Sequence, residues 1–277
     1  MKEICSINGE IKTTSEAVIP LSQIEFQYGF GVYETIKVRN SVVYFIDQHI
    51  ERLFHSATLL SLQHHFKKEQ IKKNILQYVK ELGEESSNIK LLLYGSGKPE
   101  EAMNFILASK PLYPDRKWYK KGVKLMSYQY ERWMPQAKSL NMVASYFIYK
   151  KAQEEHCYDA LLYDRNNNIL EGTRTNMYLI KDKNIYSAPK ENILEGVTMM
   201  SLEKVASKNN FSLKYKSIKI KDIQEYDGMF LTSTSSKILP IKQVDNFIFP
   251  EIHDSIFELI KLYDEALDKS KGEFNLL

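Results

Sequence analysis

One lysine, one carboxylate and two hydroxyl-rich loops are the residues of this chain that are best suited to chemistry. Lys138 precedes a patterned run that begins at Met142, and Glu171 lies in a tight polar turn. The two loops, 194–198 and 231–237, are flanked by apolar residues. Hydroxyl and backbone N–H groups in such loops can hold a phosphate, above all where a helix begins. An amine, a carboxylate and a phosphate site are the groups that pyridoxal phosphate chemistry requires.

The elements that must position these residues alternate between strands and helices in both halves of the chain. This alternation indicates an α/β or α+β fold. Asn8-Gly9 predicts a hairpin within residues 2–12. Apolar periodicity predicts helices at 48–62, 67–82, 139–155, 197–209 and 250–268, the first with Asp47 as its N-cap. Strands are expected at 32–38, 42–45, 89–94, 105–109, 123–130, 158–170 (a hairpin), 175–180, 185–187, 213–220 and 228–232.

The segment 110–121 separates the two halves. It contains two prolines, several basic residues and aromatic residues, a composition typical of a linker. We predict an N-terminal α/β domain at 1–113, an interdomain linker at 114–121 and a C-terminal domain at 122–277 that binds the cofactor.

The composition excludes several classes of protein. The 277 residues suffice for two domains, and 43% hydrophobic with 26% charged residues is ordinary for globular proteins. The 38 basic and 35 acidic residues are spread along the chain, so the net charge of +3 indicates no nucleic-acid partner. Cys5 and Cys157 suit a reducing compartment, and neither a signal peptide nor a long apolar run is present. We therefore expect a cytoplasmic protein with no membrane partner. The histidines show no metal-ligand spacing, so no metal site is expected.

Several motifs together resemble one family, the fold-type IV (class IV) aminotransferases, which use pyridoxal 5'-phosphate. In chain order these motifs are Gln27–Gly29 with Gly31–Thr35, His49–Leu53 with Ser56 and Ala57, Lys138–Asn141, Glu171 and Gly172 with Asn176, Gly196–Thr198, and Phe230–Pro240. Taken together, these motifs are most similar to those of D-amino-acid aminotransferases; branched-chain aminotransferases and aminodeoxychorismate lyases are close relatives. The resemblance implies a smaller N-terminal α/β domain, a larger C-terminal domain with a β-barrel-like sheet core, and a homodimer.

The resemblance also implies roles for individual residues. Lys138 is expected to form a Schiff base with the cofactor and then to move a proton, and Glu171 to face the pyridine nitrogen. The expected phosphate ligands are Arg52, Val197, Thr198, Ser233 and Thr234. Taken singly, Lys138 is also compatible with a solvated residue at a helix start, Glu171 with a turn residue, and Arg52 with a surface residue.

Substrate binding is where this sequence departs from the family. Tyr33 matches a tyrosine that holds the substrate carboxylate in D-amino-acid aminotransferases, but residues 92–99 lack the arginine and histidine that accompany it. Burying a carboxylate without a partner is costly, so another cation must take their place. We expect Arg174 and Lys237 to do so together with Tyr33, with Lys98 as a weaker candidate. The alternative is that these are surface residues.

The sequence thus favours transfer of an amino group between an amino acid, with a D-amino acid favoured, and a 2-keto acid. An L-branched-chain aminotransferase and an aminodeoxychorismate lyase that eliminates pyruvate are alternatives, because they share Lys138 and Glu171. A non-catalytic scaffold of the same fold is a further alternative, against which the presence of both residues argues.

Overall fold

The structure is a computed structural model that describes residues 3–110 and 113–270. The chain divides into two compact units: unit 1 comprises 3–110 and 137–141, and unit 2 comprises 113–136 and 142–270. Residues 1–2, 111–112 and 271–277 lie outside the described residues; they include Pro111 of the predicted linker segment and the ends of both predicted domains.

Unit 1 is built on one antiparallel sheet with the strand order β2-β1-β6-β5-β3-β4. In chain order its elements are β1 (Ile4–Ile7), β2 (Glu10–Thr13), α1 (Ile24–Gln27), β3 (Gly31–Arg39), β4 (Val42–Val43), α2 (Ile46–Leu59), α3 (Lys68–Leu82), β5 (Ser86–Tyr94) and β6 (Met103–Ser109). Short 3-10 turns lie at Thr14–Glu16 and Pro99–Glu101. The predicted hairpin is present: β1 and β2 pair across Asn8 and Gly9, which both have positive φ angles.

The core of unit 1 lies between one face of this sheet and the helices α2 and α3. Along β3, Val32, Ile36 and Val38 are buried in that core. Because successive side chains of a strand point to opposite faces, Tyr33 and Thr35 lie on the other face. The predicted N-cap of α2 is wrong: the helix begins at Ile46 after Phe45, and Asp47 lies in its first turn.

Unit 2 is built on a mixed sheet with the strand order β12-β11-β10-β13-β14-β7-β8-β9, and β15 pairs with β14. Its elements are α4 (Arg116–Lys121), β7 (Val123–Gln129), α5 (Val143–Glu154), β8 (Asp159–Tyr163), β9 (Ile169–Gly172), β10 (Asn176–Lys181), β11 (Asn184–Ser187), α6 (Val197–Lys208), β12 (Ser212–Tyr215), β13 (Gly228–Ser233), β14 (Lys237–Val244), β15 (Phe247–Ile248) and α7 (Asp254–Ser270). Further 3-10 turns lie at Lys190–Asn192 and Ile220–Glu225. The sheet curls into a half-barrel, and the mixed α/β architecture predicted from the sequence is confirmed.

Several elements of unit 2 differ from the sequence prediction. The predicted strand 213–220 is only partly present, because β12 ends at Tyr215 and Ile220 begins a 3-10 turn. The helix predicted at 250–268 begins at Asp254. Strand β14 was not predicted, because Pro240 lacks the N–H that an interior strand residue normally donates. It lies between β13 and β7 all the same, with a register shift between Ile241 and Gln243. Helix α5 begins at Val143 instead of 139, because residues 137–141 belong to unit 1.

The predicted linker 114–121 contains a helix. Asp115 caps α4 by accepting a hydrogen bond from the Lys117 N–H at 3.0 Å, and the helix ends at Gly122, which has a positive φ of 72°. Among the helices of residues 3–110 and 113–270, none combines the length and the apolar character that crossing a membrane requires.

Candidate active site

The backbone around Lys138 is bonded to the beginning of β3. The Tyr33 N–H donates to the Lys138 carbonyl at 3.0 Å, and the Leu140 N–H donates to the Gly31 carbonyl at 2.8 Å. On the side of α2, the Lys138 N–H donates to Ser56 Oγ at 3.0 Å. These three bonds fix the point from which the Lys138 side chain leaves the backbone. Its Nζ lies 4.7 Å from the centroid of the Tyr33 ring.

Gly31 allows this close approach. A Cβ at position 31 would lie 2.9 Å from Leu140 Cδ1 and 2.8 Å from the Leu93 carbonyl oxygen. Real Cβ atoms do not come that close to such atoms, so a side chain here would clash with the Leu93 carbonyl of β5 and displace the Leu140 side chain of the lysine segment. Residues 137–141 therefore pack against the beginning of β3, where the motif Gly31–Thr35 lies.

Arg52, a predicted phosphate ligand, belongs to a buried cluster with Glu34 and His49. Its Nε and Nη2 donate to the two carboxylate oxygens of Glu34, each at 2.7 Å. His49 Nδ1 lies 2.8 Å from Glu34 Oε2. Glu34 faces α2 because it alternates with Tyr33 along β3. The ion pair of Arg52 with Glu34 explains why an arginine can remain on the buried face of a helix. The contact of Arg52 with the phosphate stays a prediction.

The charges of this cluster follow from its geometry. Burial raises the pKa of Glu34, but the Arg52 guanidinium and the His49 ring outweigh it and bring the pKa to about 2. Burial lowers the pKa of His49, and the attraction of Glu34 does not compensate for it. Glu34 is therefore ionised at neutral pH, and His49 is a neutral ring that donates its Nδ1–H to the carboxylate.

Glu171, the predicted partner of the pyridine nitrogen, is buried at the end of β9 and held by two donors. Arg132 Nε donates to Oε1 at 2.8 Å, and the Leu194 N–H donates to Oε2 at 3.1 Å. Arg132 also donates to the Pro135 carbonyl. The sequence analysis missed Arg132: it lies 39 residues before Glu171, and no local pattern links the two. The one sequence signal that could have drawn attention to Arg132 is its position directly before Trp133 and shortly before Lys138 in the chain.

Asn176 connects the two loops that were predicted to hold phosphate. Its Nδ2 donates to the Leu194 carbonyl at 2.7 Å, and it lies opposite Thr232 in the pairing of β10 with β13. A Cβ on Gly196 would lie 2.2 Å from Asn176 Oδ1, so residue 196 must be a glycine for this contact to form. The beginning of α6 and the end of β13 therefore lie on either side of Asn176.

The predicted phosphate ligands of unit 2 lie in these two places. Val197 and Thr198 form the buried first turn of α6, where backbone N–H groups have no partner within the helix. Ser233 ends β13, and its Oγ lies 2.7 Å from Ser236 Oγ in the turn that contains Thr234. Helix N–H groups and clustered hydroxyls suit a dianion, so the residues present fit the phosphate of the expected cofactor.

The three cations expected to bind the substrate carboxylate each have a protein partner. The Arg174 guanidinium lies 4.1 Å from the centroid of the Tyr149 ring. Lys237 pairs with Asp264 of α7. Lys98 pairs with Glu101 at 2.9 Å, and its side chain is 69% exposed. Their role in substrate binding stays a prediction.

Comparison with known proteins identifies the family. A family model described as amino-transferase class IV matches residues 31–244. The chain belongs to this family. It is 27% identical over 250 residues to a D-alanine aminotransferase of Bacillus licheniformis, covering 86% of this chain and 87% of that protein. It is also 27% identical over 258 residues to a probable branched-chain-amino-acid aminotransferase of Rickettsia felis, covering 86% of each.

Solved structures show the same fold. A branched-chain amino acid aminotransferase of T.th. with pyridoxamine 5'-phosphate matches with a TM-score of 0.88 at 22% identity, covering 96% of this chain and 94% of that chain. The branched-chain aminotransferase of Thermoproteus uzoniensis with norvaline matches with a TM-score of 0.86 at 22% identity, covering 96% and 95%. The chain is thus a class IV aminotransferase of fold type IV, and its cofactor is pyridoxal phosphate, as the sequence analysis expected.

Replacing Glu34 by glutamine tests the buried cluster. At pH 7 we expect Glu34→Gln to lower the free energy of unfolding by about 3–5 kcal/mol, because Arg52 loses its counter-charge. The ionised form of Glu34 stabilises the fold above its ordinary pKa of 4.5, and this contribution is lost as the pH falls towards about 2. The difference between wild type and variant should therefore shrink between pH 5 and pH 3 in urea titrations.

The matched control is Glu51→Gln. Glu51 pairs with Lys68, but it is 64% exposed, so its replacement should cost less than about 1 kcal/mol. Equal losses for the two variants, or a difference for Glu34→Gln that does not change with pH, would contradict the charge assignment.

Replacing Gly196 by alanine tests the arrangement around Asn176. The added methyl group cannot be accommodated 2.2 Å from Asn176 Oδ1, so either the Asn176 side chain or the first turn of α6 must shift, and both changes disturb the connection between the two loops. We expect at least about a tenfold rise in the dissociation constant of pyridoxal phosphate, measured by equilibrium dialysis, which corresponds to about 1.4 kcal/mol. The control is Gly97→Ala, whose Cβ would meet Glu25 at an ordinary 3.7 Å and should leave cofactor binding unchanged. Unaltered binding by Gly196→Ala would show that α6 does not hold the phosphate.

Proposed function

We propose that this enzyme transfers an amino group between an amino acid, with D-amino acids favoured, and a 2-keto acid, and that Lys138 is the lysine that joins the cofactor. Three hydrogen bonds that hold the backbone of residues 138–140 carry the proposal: two join it to the backbone of β3, and one joins the Lys138 N–H to Ser56 Oγ. A lysine held in this way presents its amine at one place. Relatives named D-alanine aminotransferase, 25–27% identical to the chain, support the preference for D-amino acids.

Each residue of the proposed site has its own role in the transfer of the amino group. Pyridoxal phosphate, when bound, supplies an aldehyde that captures the amino group and a ring that takes up electrons from the substrate carbon. Lys138 Nζ carries the proton that moves to and from that carbon. Glu171, oriented by Arg132 and Leu194, would accept a hydrogen bond from the ring nitrogen and keep it protonated. Val197, Thr198, Ser233, Thr234 and Arg52 would hold the phosphate group.

A branched-chain L-amino acid is the second candidate donor. One relative carries the name probable branched-chain-amino-acid aminotransferase at the same 27% identity as the D-alanine aminotransferase relative. A panel of D- and L-amino acids, each mixed with the holoenzyme while the cofactor spectrum is followed, separates the two. Spectral change with D-alanine and not with L-leucine supports the D-specific proposal, and the reverse pattern overturns it.

Replacing Lys138 by alanine tests its role directly. We expect Lys138→Ala to lower kcat/KM by at least roughly 10²- to 10⁴-fold through the loss of proton transfer alone. The visible absorption band of the wild-type holoenzyme should also be lost. Lys151→Ala is the control, because Lys151 also lies against a tyrosine, Tyr128, at 5.4 Å. Retention of the band and of activity in Lys138→Ala would exclude this lysine.

We also propose that the enzyme acts as a homodimer in the cytoplasm. Helix α5 exposes Val143, Tyr146 and Phe147 by 81%, 63% and 61%, at a spacing that places them on one face. A contiguous exposed apolar face of this kind suits a subunit interface. The two free, buried cysteines, Cys5 and Cys157, suit a reducing compartment.

A charge on this face of α5 should separate the subunits. We expect Phe147→Glu to convert a dimer into a monomer in light scattering coupled to size-exclusion chromatography, because an ionised carboxylate cannot be buried there without a partner. Phe257→Glu is the control: Phe257 is 38% exposed on α7 and should leave the mass unchanged. A Phe147→Glu variant that stays dimeric would place the interface elsewhere.

A further inference from the structure

The sheet of unit 1 has a face that carries basic residues and no acidic ones along the neighbouring strands β3 and β5. Successive residues of a strand alternate between faces, and Glu34 of β3 points to α2, so the opposite face carries the odd-numbered residues of β3. These are Tyr33, Thr35, Lys37 and Arg39. The residues of β5 paired with them are Leu92, Lys90, Asn88 and Ser86. We call these eight residues the basic face.

Lys90 lies at the end of the basic face nearest to Lys138. Its Nζ is 4.8 Å from the centroid of the Tyr33 ring, and Lys138 Nζ is 4.7 Å from the same centroid. The register of β3 and β5 fixes this position, because Lys90 pairs with Thr35 and Leu92 pairs with Tyr33. Lys90 is exposed, and among the residues that the structure describes no carboxylate pairs with its ammonium group.

The ammonium group of Lys90 favours an anion near the Tyr33 ring. The ring attracts this group by only about 0.5–1 kcal/mol at an exposed site. None of the eight residues of the basic face is an aspartate or glutamate. An anion beside the ring would therefore be stabilised by the charge of Lys90.

The chemistry of transamination determines which anion belongs there. In an α-amino acid or a 2-keto acid, the carboxylate is bonded to the carbon that loses or gains nitrogen. Its partner must therefore lie close to the amine of Lys138. Lys90 meets this condition through the shared Tyr33 ring. Lys98 has a different partner, Glu101.

We propose that Lys90, together with Tyr33, binds the α-carboxylate of the amino acid and keto acid substrates, in the place of the arginine and histidine that residues 92–99 lack. This assignment rests on the proposed aminotransferase function with Lys138 as the reacting lysine. Lys90 is a residue that determines specificity: it recognises a carboxylate next to the reacting carbon and does not take part in proton transfer.

The test compares a charged and an uncharged donor in single-turnover reactions of the holoenzyme. The donors are the amino acid that reacts fastest in the panel described above and its carboxamide, which lacks the negative charge. In Lys90→Met we expect the dissociation constant of the amino acid to rise roughly ten- to a hundred-fold, as for loss of a hydrogen bond to a charged group. The carboxamide should bind wild type and variant equally, and Lys90→Arg should restore binding of the amino acid.

The control variant is Lys214→Met. Lys214 is likewise an exposed strand lysine above a tyrosine ring, 5.7 Å from the centroid of Tyr186, so it matches the environment of Lys90 in unit 2. It should leave the dissociation constants of both donors unchanged. A merely structural role of Lys90 would weaken the binding of amino acid and carboxamide alike, and that result would overturn the proposal, as would unchanged binding of the amino acid by Lys90→Met.

Failure of this assignment is distinguishable from failure of the proposed function. If wild type shows no visible cofactor band, or no spectral change with any amino acid, the aminotransferase role of Lys138 fails and the Lys90 assignment fails with it. If wild type reacts and Lys90→Met retains the cofactor band but binds the amino acid as tightly as wild type, the function stands and the Lys90 assignment alone is wrong.

Discussion

The hydrogen bond from the Tyr33 N–H to the Lys138 carbonyl is the interaction on which the position of Lys138 depends. It joins residues 137–141 to the beginning of β3, and the Leu140–Gly31 bond completes the pairing. Lys138 therefore leaves from an extended backbone bonded to a buried strand, not from a flexible helix start. The backbone of Tyr33 and Lys90 is held in one sheet, and the amines of Lys138 and Lys90 both lie near the Tyr33 ring. A functional site requires a rigid support of this kind.

Each unit also contains an arginine paired with a buried carboxylate, and the two residue types exchange roles between the units. In unit 1, Arg52 is the expected cofactor ligand and Glu34 orients it. In unit 2, Glu171 is the expected cofactor ligand and Arg132 orients it. A long side chain that is bonded by its neighbour keeps one conformation, so less freedom is lost when the cofactor binds. The two ion pairs thus contribute both to the stability of the fold and to the preorganisation of the residues that are expected to bind the cofactor.

The sequence made the local motifs predictable but not the contacts between distant segments. Lys138 and Glu171 were predicted as site residues because each lies in a compact motif, and hydrophobic periodicity located most helices to within a few residues. The partnership of Arg132 with Glu171 and the approach of Lys90 to Tyr33 depend on strand register and chain path, which no local pattern encodes. Strand β14 was missed because Pro240 is a poor strand residue on its own, whereas its neighbours β13 and β7 hold it in the sheet.

Reduction of the holoenzyme with borohydride, followed by mass spectrometry of its peptides, tests the central claim most directly. Reduction makes the bond between the cofactor and its lysine permanent, so the modified residue can be read from the fragment masses. The account predicts one phosphopyridoxyl group per chain, on Lys138. A group attached to any other lysine, or a reduced protein without an attached cofactor, would contradict the assignment of Lys138 as the reacting amine.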